Sequence, residues 1–90
     1  MFRVTIEKQD ILCGIERSSR MCPIARALNR QFPAFGQWQV SLDKISRIER
    51  DANGVISTVE KYRLGWRARR FIRRFDAHRR VRGFTFKFDR

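Results

Sequence analysis

Between Lys61 and Arg82 the chain gathers residues whose types and spacing do chemistry together. They are Arg63, Arg67, Arg69, Arg70, Arg73, Arg74, Arg79, Arg80 and Arg82, with Trp66 among them and Lys61 at the edge. A guanidinium is a planar fork of donors that pairs bidentately with phosphate and stacks on bases. An indole face takes an unpaired base by stacking, worth about 1–3 kcal/mol per base. Arg67, Arg69, Arg70, Arg73 and Arg74 fall on one side of a helix, where like charges repel by a few tenths of a kcal/mol per i,i+4 pair. No Glu stands four residues before any of them, and Asp76 is the sole acid in the stretch. An external polyanion would supply the missing counter-charge, so these arginines and Trp66 are candidate nucleic-acid-binding residues. The competing reading is a solvated charged face with Trp66 packed on the core edge.

The remaining reactive side chains form no comparable set. Cys13 and Cys22 are nine apart, and with His78 they offer at most three soft ligands where a structural zinc wants four. Cys22 directly precedes a helix start, where the helix dipole lowers a thiol pKa. The plainer reading has both cysteines as small apolar residues under a loop. His78 follows a helix end and has no Ser, Asp or Glu at triad spacing, so capping or exposure suits it better than catalysis. There is no glycine-rich phosphate loop and no His-Glu-x-x-His. No catalytic residue, metal or cofactor is expected.

The elements that position the arginines follow from periodicity. Gly65–Ala77 is the clearest helix. Leu64, Ala68, Phe71, Ile72 and Phe75 form one apolar stripe at the 3.6 period, opposite the arginines. Phe84, Phe86 and Phe88 alternate with Thr85 and Lys87, giving a closing strand with one aromatic face. Phe2, Val4 and Ile6 alternate likewise. Gln9–Cys13 is a short helical turn that Gly14 is placed to end. Residues 15–21 are polar and form a loop. Pro23 suits the first position of a helix that buries Ile24, Ala27, Leu28 and Phe32, keeps Arg26 and Arg30 on the wet side, and stops at Pro33. Trp38, Val40 and Leu42 alternate as a strand. Lys44–Arg50 fits helix by spacing and strand by β-branching. Asn53-Gly54 favours a hairpin there, with Val55–Lys61 as the return strand.

Ninety residues hold one domain. The class expected is α+β: a mainly antiparallel sheet with two helices packed on it and one short extra helical turn. Charge divides the chain unevenly. Residues 1–60 carry 9 cations and 7 anions, a near-neutral scaffold, while residues 61–90 carry 12 cations and 2 anions. Of 21 cations, 17 are Arg. The composition, 42% hydrophobic and 12% aromatic, excludes a disordered tail. The longest apolar runs fall far short of the roughly 18 residues of a membrane span, and the N-terminus lacks an apolar signal core. Two cysteines are too few for a disulfide framework, so a reducing cytoplasm is the expected compartment.

The Cys22-Pro23-Ile24-Ala25 helix start, preceded by a polar loop, resembles a family of small proteins from phages and other mobile elements. The ending resembles it too: Phe71-Ile72-x-x-Phe75-Asp76, then Val81, then Phe84-Thr85-Phe86. The likeness covers about Asp10 to Leu28 and Tyr62 to Phe88. Its motifs are mainly packing motifs, so it implies a shared α+β fold more than a shared function. Two departures stand out. Ser19 occupies the place of a second Cys in many relatives, which weakens a metal or redox role. The final helix is Arg-rich where relatives are neutral or acidic, which makes a phosphate-binding face a specialisation of this chain.

Proteins of this kind often counter host defence, and the chain is similar in kind to type I-F anti-CRISPR proteins. The resemblance implies a non-enzymatic inhibitor that docks on a CRISPR guide-RNA–protein surveillance complex, contacts guide RNA and blocks target DNA. Such a partner combines nucleic acid with a host protein surface, and needs neither membrane nor small-molecule substrate. Two alternatives stay open: a DNA-binding regulatory or architectural phage protein, and a purely protein–protein inhibitor of an acidic host surface.

Overall fold

A computed structural model describes residues 2–88, with Phe35 described by its backbone alone. In chain order the elements are β1 (Phe2–Ile6), α1 (Lys8–Cys13), α2 (Pro23–Gln31), a 3-10 turn (Pro33–Phe35), β2 (Gln37–Val40), β3 (Lys44–Arg50), β4 (Ile56–Arg63), α3 (Trp66–Asp76) and β5 (Phe84–Phe88). The fold is α+β, as the periodicity implies. The strands make two antiparallel sheets rather than one: β1 pairs with β5, and β2, β3 and β4 form a three-stranded meander.

One aromatic cluster joins the two sheets. Phe2 of β1 stacks on Phe88 of β5 with ring centres 5.1 Å apart, and meets Trp38 of β2 and Tyr62 of β4 edge-on at 5.6 and 5.7 Å. Such pairs are each worth about 0.5–1.5 kcal/mol beyond the area they bury. Trp38 is fully enclosed, and its indole N–H donates to the Phe32 carbonyl at 3.2 Å, so its one polar group is satisfied.

α2 packs across both sheets with Pro23, Ile24, Ala25, Ala27 and Leu28 buried. The thiol of Cys22 caps it, accepting from the Ala25 N–H at 3.4 Å. Asn29 ties the helix to β2 by accepting from the Trp38 N–H at 3.1 Å. Gln31 covers the free edge of β1: its amide donates to the Thr5 carbonyl at 2.6 Å and accepts from the Thr5 N–H at 3.1 Å. Arg30 is exposed as expected, yet it is also engaged. It reaches the buried carboxylate of Asp10 at 2.7 Å, and Asp10 in turn accepts from the Glu7 N–H at the start of α1. Arg26 is half-buried rather than on the wet side.

Two expectations change. Leu42 lies beyond β2, is 64% exposed, and takes no part in the strand. The Asn-Gly turn is not a two-residue hairpin, because Arg50 pairs with Ile56 across five residues. Asp51 organises that loop by accepting from the N–H groups of Asn53 and Val55, so Gly54 alone there needs a positive φ, +81°. Gly14 ends α1 as expected, in extended conformation; a Cβ there would meet Pro23 at 2.7 Å, so closeness to α2 selects the glycine. Lys44–Arg50 is strand, the reading that Asn53-Gly54 favours, and Val59 is the extra residue of a bulge between the Arg47–Glu60 and Ile48–Thr58 pairs.

Candidate nucleic-acid interface

Gly65 is the N-cap of α3, which has no side-chain cap and no acid in its first turn. Ala68, Phe71 and Ile72 are buried, and Phe75 is half-buried at the end of the stripe. On the other side the helix shows Trp66, Arg67, Arg69, Arg70, Arg73 and Arg74. Four i,i+3 or i,i+4 Arg pairs among them repel by roughly 1–2 kcal/mol in sum. Arg73 and Arg74 recover part of this at the helix C-terminus, where cations suit the dipole, while Arg67 near the N-terminus gains nothing from it.

The helix ends in a Schellman motif. The His78 N–H donates to the Phe75 carbonyl at 3.1 Å and the Arg79 N–H to the Arg74 carbonyl at 2.9 Å. His78 holds the left-handed position at φ +60°, where glycine is usual. Its imidazole Nδ1 lies 2.8 Å from Glu16, so it is a capping residue held by a surface contact. The reversal sends residues 79–83 back along α3, where the Arg74 guanidinium donates to the Arg80 carbonyl at 3.3 Å. Gly83 then passes so close to the end of β1 that a Cβ would stand 2.4 Å from the Ile6 carbonyl.

Between α3 and this returning segment lies a groove of about 480 Å³. Trp66, Arg67, Arg70, Phe71 and Arg74 line it from the helix, and Arg80, Val81, Arg82, Gly83 and Phe84 from the return. Phe71 and Phe84 touch within it, ring centres 5.1 Å apart, and the Arg67 guanidinium sits 5.8 Å over the Phe84 ring. That cation–π contact is worth about 0.5–1 kcal/mol at an exposed site, and it leaves the guanidinium N–H groups free for an anion. Trp66 is 64% exposed, so it is not packed on the core edge.

Among the described residues no acid lines the groove. Among the described residues, none of the arginines of 61–88 is in an ion pair; Glu7 and Asp10 pair with Arg30, Glu49 and Glu60 pair with Arg47, and Glu16 contacts the His78 imidazole. Asp76 accepts from the Arg17 backbone N–H at 2.9 Å. The groove therefore presents uncompensated guanidinium groups over an aromatic floor, a chemistry that fits phosphates together with an unpaired base.

The structure brings together six of the ten sequence-chosen residues: Trp66, Arg67, Arg70, Arg74, Arg80 and Arg82. It separates the rest. Arg63 and Arg69 face a different cleft with Asp43, Lys44 and Lys61, and Arg73 and Arg79 are exposed outside the groove. The helix thus divides its arginines: those at 67, 70 and 74 turn to the groove, and Arg69 turns away. Sequence reasoning missed Phe84 as the floor, because its place depends on the reversal at His78.

The cysteines stand apart from this site. Cys22 is buried, and burial pushes its thiol pKa up, against the lowering expected from the helix start. Cys13 is exposed rather than under a loop, and accepts from the Gln9 amide at 3.0 Å. Among the described residues no three His, Cys, Asp or Glu side chains come together as metal ligands, and no helix is long and apolar enough to cross a membrane. In comparisons with known proteins the chain matches no protein family, no curated protein and no solved structure.

Proposed function

We propose that the chain is a non-enzymatic protein that holds a nucleic-acid backbone in the groove between α3 and residues 80–83. One observation carries the reading: five arginines from two chain segments converge on one groove beside an exposed tryptophan, with no acid among the described residues lining it. Guanidinium–phosphate contacts supply affinity without reading sequence, so the groove suits a partner found by shape and charge. Within that reading, the likeness to phage counter-defence proteins makes the target a CRISPR guide-RNA–protein complex in the cytoplasm of a host cell. The groove would contact guide RNA there and obstruct target DNA, with further footing on the host protein.

The test is binding of the purified protein to single-stranded RNA, to duplex DNA and to an assembled guide-RNA complex, over a salt series and with nuclease controls. Expected is binding to naked nucleic acid that weakens with salt, and tighter binding to the complex. Tight binding to free duplex with nothing gained on the complex would make the protein a DNA-binding regulator. Binding to a host protein that survives nuclease, with no affinity for any nucleic acid, would overturn the proposal in favour of an inhibitor of an acidic protein surface.

A further inference from the structure

The groove has a neighbour. Trp66 and Arg67 also line a second cleft, of about 420 Å³, together with Arg3 of β1 and Lys87 of β5. Arg3 and Lys87 stand directly opposite each other in the β1–β5 ladder. Like charges in that position destabilise a strand pair. Both are exposed, and among the described residues neither has an ion-pair partner. The sheet thus repeats, on a separate pair of elements, the uncompensated charge of α3. The two clefts meet at one exposed indole.

Resting on the nucleic-acid reading above, we infer that the occupant is a single strand, RNA or DNA, that runs from the groove into the second cleft with an unpaired base stacked on Trp66. Each cleft is a small open depression with room for one or two nucleotides. A base inside a duplex has both faces covered by its neighbours, and exposing one to Trp66 costs the energy of unstacking and unpairing. A single strand offers that face freely, and aromatic platforms between cationic walls are how such strands are held. Arg70 and Arg74 then take phosphates on one side of the stacked base, and Arg3 and Lys87 on the other. The site spans roughly four nucleotides, at the short end of single-strand sites.

Of the two tryptophans, Trp38 is 1% exposed, so an added quencher or a stacked base reports on Trp66. The experiment titrates octamers of uridine and of thymidine, and a hairpin duplex, into the full chain while intrinsic fluorescence is read. Either octamer, or both, should quench the emission and shield it from acrylamide, and the duplex should bind more weakly. Trp66→Ala should weaken single-strand binding about 5- to 150-fold, and Trp66→Phe less, since a phenyl ring still stacks. Arg3→Gln with Lys87→Gln should lower the single-strand salt slope by about 1.4 units. Duplex bound at least as tightly as the octamers, without quenching and with Trp66→Ala like wild type, would overturn the single-strand inference and leave the groove proposal standing. No binding of any polynucleotide by the wild-type protein would reject both.

Discussion

Two charge-matched triple variants separate the groove from bulk positive charge. Arg67, Arg70 and Arg74 changed to Gln empties one wall of the groove; Arg63, Arg69 and Arg73 changed to Gln leaves it intact. Each triple removes three charges from a formal +12, so long-range attraction falls equally. If the groove arginines each hold one phosphate, the first triple lowers the log–log salt slope by roughly 2–3 units and the second leaves it in place. Between about 50 and 200 mM salt, the affinity of the groove variant then falls about 20- to 40-fold less than that of wild type. Folding should survive in both, because Ala68, Phe71 and Ile72 are untouched. The groove triple forfeits the Arg67–Phe84 contact, about 0.5–1 kcal/mol, and relieves the 67–70, 70–73 and 70–74 repulsions, about 0.2–0.5 kcal/mol each. The two effects nearly cancel. Fluorescence anisotropy with a labelled single strand reads the slope, and urea melts check the fold. Equal loss of slope in both triples would refute the groove and leave only diffuse charge.

Four further outcomes concern stability and reactivity. Phe71→Ala should cost about 3–5 kcal/mol and the half-buried Phe75→Ala clearly less; equal shifts in urea midpoint would contradict the packing described for α3. Arg30→Ala strands the buried Asp10 carboxylate and should cost about 1–3 kcal/mol, a loss that an unchanged midpoint would rule out. Iodoacetamide on the native protein should label Cys13 and spare Cys22 until unfolding. Because burial raises the Cys22 pKa, the folded state keeps that proton where the unfolded chain has lost it, so stability declines as pH rises past about 8.5. Cys22→Ala should show a shallower decline, and an identical pH profile would count against the assignment.

The period-3.6 stripe of α3 and the alternating phenylalanines of β5 were legible because each depends on residues close in sequence. The pairing of β1 with β5 was not, since it joins the two ends of the chain and nothing local specifies it. For the same reason the opposition of Arg3 and Lys87 was hidden. The division of the arginines was partly legible: 67, 70 and 74 share a narrower stripe than all five helical arginines together. What the sequence withheld was the second wall. It exists because His78 takes a left-handed conformation normally signalled by glycine, and because Gly83 allows close passage by Ile6. Leu42 misled because alternation alone continued a strand that the turn at residues 41–43 had already ended.

The most direct test of the central claim is a nuclear magnetic resonance titration of nitrogen-labelled protein with whichever of the uridine and thymidine octamers it binds more tightly. Expected are shifts at the Trp66 indole N–H, at the amides of Arg67, Arg70 and Arg74, and along residues 80–84, with the loop at 51–55 unmoved. Shifts centred on Arg63 and Arg69, or on the β3–β4 hairpin, with the groove silent, would contradict it.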